Sequence, residues 1–376
     1  MSVNLHSLVL LNDGTVKSFG YNTTGQLGLG NITNLDTPTL IPNLTNVKQT
    51  SCGYDYSLVL LNDGTLYSFG NNTDGQLGLG NTTTPISTPT LIPGLTNVKQ
   101  IVGCNNHSLA VLNDGTVKGW GYNAQGELGL GNTTTPYKTP TIIPNLTNVK
   151  QIAGGIYHSL ALLNDGTVKS FGLNDSGQLG YVGNSLIPKL IPSLSNVKQI
   201  AGGSYNSFAL LNDGTIKAFG YNSLGELGLG NTTNPISTPT LIPGISNAKQ
   251  ISGGTHHTSI LITDGTVYTF GYNVGGQLGL GDAVNRTSPT LIPNLTNVKQ
   301  IASGYYYSMV LLDDGTVKAY GNNPQLGLGD ITTCTTPTLI PNLSNISLLW
   351  DNILEIIPRT KFTMFLTDTK SAYGEK

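Results

Sequence analysis

Asp-Gly-Thr recurs at Asp13, Asp63, Asp114, Asp165, Asp213, Asp264 and Asp314, in steps of 50, 51, 51, 48, 51 and 50 residues. A unit of this length at a fixed period cannot bury its own apolar faces and must stack on its neighbours. The 376 residues therefore read as one repeat array, not as the two or three domains that length alone allows. A degenerate eighth copy, Thr367-Asp368-Thr369, lacks the glycine, and the fourth repeat is shortened after Gly183.

One copy reads strand by strand. Val149 to Ala153 is a first strand ending at Gly154-Gly155, and His158 to Leu163 is a second. Asn164-Asp165-Gly166 is a hairpin turn, because Asp-Gly accepts the positive φ that primed turns require. Thr167 to Gly172 alternates apolar and polar as a third strand. A Gly-rich loop from Asn174 to Gly183 follows, and Lys189 to Pro192 reads as a short fourth strand, its proline suited to an edge. Helical periodicity is absent, and 48 Gly with 19 Pro oppose long helices. Seven such units predict an all-β protein, a seven-bladed β-propeller of four-stranded antiparallel blades.

The companion motifs recur with the same period. Gly-Gln-Leu-Gly-Leu-Gly stands at 25–30, 75–80 and 276–281, and Gly-Glu-Leu-Gly-Leu-Gly at 126–131 and 225–230. Gly-Gly-X-X-His-Ser stands at 154–159, and Phe/Trp-Gly-X-Asn at Phe19 to Asn22 and Trp120 to Asn123. Over residues 4–350 the chain resembles the regulator-of-chromosome-condensation repeat family, which implies a seven-bladed propeller. Its compact loops are closest in style to the bacterial propeller-type β-lactamase inhibitory proteins.

Closure follows from counting. The chain opens on a second strand, His6 to Leu11, and its last first strand is Ile346 to Trp350. These are expected to share one blade, making residues 1–353 the ring and 354–376 a surplus hairpin or a link to an absent region. An eight-bladed or open ring is the alternative.

Composition limits the function. Lys plus Arg total 18 and Asp plus Glu total 20, so no strong basic field exists to attract nucleic acid or acidic lipid. No run of eighteen apolar residues occurs, so no membrane insertion is expected. Met1 to His6 has neither a basic nor an apolar run, so these residues are not expected to be a signal peptide. A cytoplasmic location is expected, or a place in a secreted or surface protein whose targeting segment is absent. Cys52, Cys104 and Cys334 fit no zinc pattern. Cys52 and Cys104 are either a disulfide or, more simply, small buried residues standing in for glycine. No nucleophile elbow, phosphate loop or metal motif appears, so neither enzyme activity nor a cofactor is expected.

The candidate site lies in the loops. The Asn-Asp-Gly turns and Asn-Leu-Thr-Asn connections share one face and are nearly uniform, which marks that face as scaffold. The other face carries loops that differ between copies: Tyr54-Asp55-Tyr56, Asn105-Asn106-His107, Ile156-Tyr157-His158, Ser204-Tyr205-Asn206, Thr255-His256-His257 and Tyr305-Tyr306-Tyr307. The third column is read as structural. The middle column, Asp55, Asn106, Tyr157, Tyr205, His256 and Tyr306, is expected to ring the mouth of the central channel. Tyr21, Tyr122, Tyr221 and Tyr272 open the long loops on the same face. Tyrosine in rigid loops gives large contact area at low entropy cost, so these residues, with Tyr54 and Tyr305, are the candidate partner-binding set. The lysines at 48, 99, 150, 198, 249 and 299 are read as a solubilising ring on the scaffold face.

The expected function is a non-catalytic, protein-binding ring, acting as a monomer, with a partner the sequence does not name. Two alternatives stand beside it: a structural segment of a larger surface or particle protein, and guanine-nucleotide exchange on a small GTPase. The resemblance associates the second with a basic tail and a wedge-like insertion. Repeat steps of 48 to 51 residues leave no room for such an insertion.

Overall fold

The computed structural model describes residues 6–322, 326–329, 333–343 and 346–350. Among these, 28 strands form seven separate four-stranded antiparallel sheets. Each sheet is one blade, and its strands run outward in chain order. In blade 4 they are Val149–Gly154, His158–Leu163, Val168–Gly172 and Ser185–Leu190. Blade 1 closes the ring: Ile346–Trp350 is its inner strand, followed by His6–Leu11, Val16–Gly20 and Leu35–Leu40. Leu8 faces Trp350 and Leu10 faces Leu348 in that pairing. The expected closure is therefore present. The proposed hairpin over 354–376 lies outside the described residues.

The outer strand differs from its expected position. In blade 4 it spans Ser185–Leu190, so Pro188 lies inside it and Pro192 beyond it. A proline takes the fourth place of every outer strand, Pro38, Pro89 and Pro140 among them. The ladder tolerates it because an outer strand is paired on one side only and its register slips beside the proline, as between Ser170 and Gly172.

Seven apolar clusters hold the ring, each joining two neighbouring blades. The Gly-X-Leu-Gly motif explains their fit. Gly228 has φ +67°, and a Cβ there would lie 2.9 Å from the Phe270 ring of the next blade. Gly28 meets Phe69 in the same way, Gly129 meets Phe171, and across the seam Gly327 meets Phe19. Only glycine admits both the backbone angle and the approach.

Polar side chains repeat the pattern. On the inner strands Gln151 Nε2 donates to the Ile200 carbonyl at 3.0 Å, and Ile200 N donates back to Gln151 Oε1 at 3.0 Å. On the second strands His6, His107, His158 and His257 reach the Ser57, Ser159, Ser207 and Ser308 hydroxyls of the following blade at 2.8–3.0 Å. Tyr56 and Tyr307 reach Ser108 and Ser7 from the same column. Each of these serines except Ser7 is seen to donate onward to a backbone carbonyl, as Ser57 does to Gln26 at 2.8 Å. The imidazoles must therefore donate through Nε2–H and are neutral; burial pushes all four down to about 3. The third loop column is structural, as its recurrence implied.

Candidate functional site

Strand polarity assigns the faces. The hairpin turns and the inter-blade connections lie together on one face. There Asp13 Oδ1 accepts from the backbone N and Oγ1 of Thr15 at 2.9 and 2.7 Å, and the same arrangement recurs in every Asp-Gly-Thr copy. These bonds hold the seven aspartates below the usual carboxylate range. Asn46, Asn97, Asn148, Asn196, Asn247 and Asn297 take φ of 57–59° just before the inner strands. Asparagine tolerates that conformation, which accounts for the uniformity of this face. The lysine series lies here too, with Lys48 and Lys249 donating to the carbonyls of Lys99 and Lys299.

The opposite face carries the variable loops, and here the structure corrects one placement. The cavity at the channel mouth is lined by the first column, Tyr54, Asn105, Ile156, Ser204, Thr255 and Tyr305. The middle column stands one step further out. The reason is backbone pairing. Alternate first-column amides bond the neighbouring blade's loop, Tyr54 N to Asn105 O, Ile156 N to Ser204 O and Thr255 N to Gly304 O, which ties the inner loops in pairs. Middle-column carbonyls accept from the long loop of their own blade, as Tyr205 O does from Tyr221 N.

The two predicted tyrosine sets meet chiefly across blade boundaries. Tyr122 and Tyr157 have ring centroids 6.2 Å apart, and Tyr157 and Tyr205 6.4 Å. His256 lies 6.4 Å from Tyr221, 6.3 Å from Tyr272 and 6.5 Å from Tyr306. Tyr305 meets Tyr306 edge-on at 4.5 Å. All eight are half-buried. They form an aromatic belt in two clusters, Tyr122, Tyr157 and Tyr205 over blades 3 to 5 and Tyr221, His256, Tyr272, Tyr306 and Tyr305 over blades 5 to 7. Burial pushes the Tyr306 hydroxyl up to about 12, so it stays protonated and able to donate. Tyr54 lines the channel mouth, Tyr21 opens the long loop of blade 1, Asn106 bonds Asp74, and Asp55 is buried; none of these four belongs to the belt's ring contacts.

Beneath the belt lies a column the sequence reading passed over. Gln26, Gln76, Glu127, Gln178, Glu226 and Gln277 are all fully buried. Each accepts the amide two residues before it through one side-chain oxygen, at 2.8–2.9 Å. Two of the six are carboxylates. Glu226 Oε1 lies 3.5 Å from His256 Nδ1. Glu127 is pushed up to about 7 by burial. The available signal was the Gln/Glu alternation inside a motif read only as a signature.

Among the described residues no group of three or more His, Cys, Asp or Glu is placed to hold a metal, and no helix is long and apolar enough to cross a membrane. Among the described residues no disulfide joins Cys52, Cys104 and Cys334, and Cys52 and Cys104 are buried. The bland reading of those two residues stands.

The fold and its two unlike faces define a closed seven-bladed propeller with a scaffold face and a variable aromatic face. The chain belongs to the RCC1-like domain family, whose profile matches residues 95–365, and regulator of chromosome condensation (RCC1) repeats match 13–60 and 63–111. It is 31% identical to the ultraviolet-B receptor UVR8 of Arabidopsis thaliana over 295 residues, 75% of this chain and 67% of that protein. It is 34% identical to the probable E3 ubiquitin-protein ligase HERC6 of Homo sapiens over 73% of this chain and 23% of that protein. Among solved structures, Prp20p of Saccharomyces cerevisiae superposes with a TM-score of 0.80 at 26% identity, covering 89% of this chain and 88% of that one. Yeast RCC1 (Prp20) bound to Kap60 superposes at 0.81.

Proposed function

We propose that this chain is a non-catalytic, protein-binding propeller, acting as a single ring, that holds its partner on the aromatic belt. The observation that carries the reading is the belt itself: eight half-buried aromatic side chains, packed in two clusters on loops that backbone bonds hold in place. Their order is fixed before any partner arrives, so little entropy is lost on binding. Among the described residues the uniform opposite face carries no such aromatic cluster. The propeller relatives support the reading in kind. Prp20p has binding properties to Gsp1p and histones, and yeast RCC1 is seen bound to Kap60. The ligase HERC6 is matched over under a quarter of its length, so its activity is not carried over.

The test compares two triple variants. Truncating a buried interfacial tyrosine typically costs on the order of 2 kcal/mol or more. Tyr157→Ala, Tyr205→Ala and Tyr306→Ala together should weaken capture of partner proteins from native lysate by well over tenfold, with the melting curve still cooperative. Lys99→Ala, Lys150→Ala and Lys198→Ala should leave capture unchanged. Loss with the lysine set and retention with the tyrosine set would place the partner on the other face.

A further inference from the structure

We infer that the meeting point of the long loop of blade 3 and the first loop of blade 4 is a subsite for a cationic side chain, arginine or lysine, presented by the protein partner. The inference rests on the protein-binding reading and names the chemistry of one contact.

The column beneath the belt supplies internal controls. In the four copies that carry glutamine, the outer atom is the uncharged amide nitrogen Nε2, which likewise has no partner but is a donor rather than an acceptor. In blade 5 that atom is a carboxylate oxygen, and the chain provides its own base: His256 of blade 6 stands 3.5 Å away. In blade 3 the atom is again a carboxylate oxygen, Glu127 Oε1, but the residue in the place of His256 is Tyr157. Glu127 is fully buried; its Oε2 accepts from Gln125 N at 2.8 Å, while Oε1 has no hydrogen-bond partner. Its backbone is fixed beside Tyr157 because the Glu127 carbonyl accepts from Ser159 Oγ at 2.7 Å. A buried carboxylate oxygen without a donor is costly, and a charged donor satisfies it best.

The surroundings complete the site. Burial first, and then neighbouring carboxylates, raise both groups: Asp74 adds to the rise of Glu127, and Glu127 and Asp74 to that of the Tyr122 hydroxyl. Asn106 Nδ2 donates to Asp74 Oδ2 at 2.9 Å, which orients that carboxylate. Tyr122 and Tyr157 present two rings at 6.2 Å and 48°, faces on which a guanidinium or ammonium gains cation–π energy. The variable loops of blades 2 to 4, residues 53–55, 71–85, 104–106, 122–136, 155–157 and 173–184, contain Asp55, Asp74, Glu127 and Asp175 but no Lys or Arg. The exposed Lys138, on the outer strand beside Gly75, makes no ion pair among the described residues. Negative charge, aromatic faces and an unpartnered buried acceptor therefore converge with no internal cation.

The probes are N-acetyl-arginine amide and N-acetyl-lysine amide, with N-acetyl-glutamine amide as the neutral control, titrated by NMR into the full chain. Saturable shifts with either cation and none with the glutamine amide are expected. Glu127→Gln, which installs the residue of the neighbouring copies, should weaken the cation at least tenfold, and Glu226→Gln should leave it unchanged. Equal binding to wild type and Glu127→Gln, or no saturable binding, overturns the inference. The two readings fail separately. If the tyrosine variant loses the partner but Glu127→Gln does not, the subsite is wrong and the binding face stands. If the cation binds through Glu127 while the tyrosine variant keeps its partner, the reverse holds.

Discussion

Acid should loosen this ring from inside, through the four imidazoles that latch blade to blade. His6, His107, His158 and His257 are fully buried, and burial lowers them from 6.5 to about 3. Below pH 6.5 the unfolded chain takes up protons that the folded ring refuses, so stability falls as pH falls. Between pH 7 and pH 5 each imidazole costs roughly 2 kcal/mol, about 8 kcal/mol for four. Glu127 opposes this, because its folded value is raised from 4.5 to about 7. Its contribution grows as pH falls and returns about 2 kcal/mol over the same interval, leaving a net loss of about 6 kcal/mol. The chain itself supplies the control substitution. Tyr56 and Tyr307 occupy the same column and reach the same serine, beside Gly53 and Gly304 where His158 and His257 stand beside Gly155 and Gly254. The double variant His158→Tyr, His257→Tyr should cut the loss from about 6 to about 2 kcal/mol. Urea unfolding at pH 7, 6 and 5, followed through the buried Trp120, measures it. A flat profile in the wild type, or an unchanged slope in the double variant, refutes the reasoning.

Two predictions concern the ring itself. Deleting residues 1–11 removes His6–Leu11, which pairs on one side with Val16–Gly20 and on the other with Ile346–Trp350; the ring should open, seen as a larger radius of gyration in solution scattering and a much lower melting temperature, and an unchanged radius would count against the assigned closure. Gly228→Ala forces a Cβ to 2.9 Å from Phe270 at φ +67° and should cost about 2–4 kcal/mol in urea unfolding, combining overpacking with backbone strain.

The fold was legible because the repeat states its own period, and because a chain opening on a second strand and ending on a first one must join its ends. The outer strand was misplaced by several residues. Its pattern is weak: it pairs on one side, its register slips beside Pro188, and much of it is exposed. The candidate face was legible from differences between copies, since uniform turns such as Asp13-Gly14-Thr15 are explained by their own hydrogen bonds. Which column reaches the channel was not, because the loop's route depends on pairing with the next blade, as Ile156 N does with Ser204 O. Glu127 and Glu226 escaped notice for a related reason. Nothing local distinguishes a buried carboxylate from the carboxamide of a sister copy until the facing residue, Tyr157 or His256, is known.

The seven blade interfaces are alike in their contacts but not in chain separation. Six of them join units whose bonded residues lie 49 to 52 positions apart, as His158 and Ser207 do. The seventh joins Tyr307 to Ser7, 300 positions apart. Equal contacts across a sixfold longer loop carry a larger closure entropy, about 1.6 kcal/mol by the logarithmic law. During folding the blades can add one after another like beads zipped along a string, and the seam is the last to shut. In the finished ring it is expected to open first, the place where hydrogen exchange should first report a gap and from which a partner gripping both edges would gain the most by acting as a clasp.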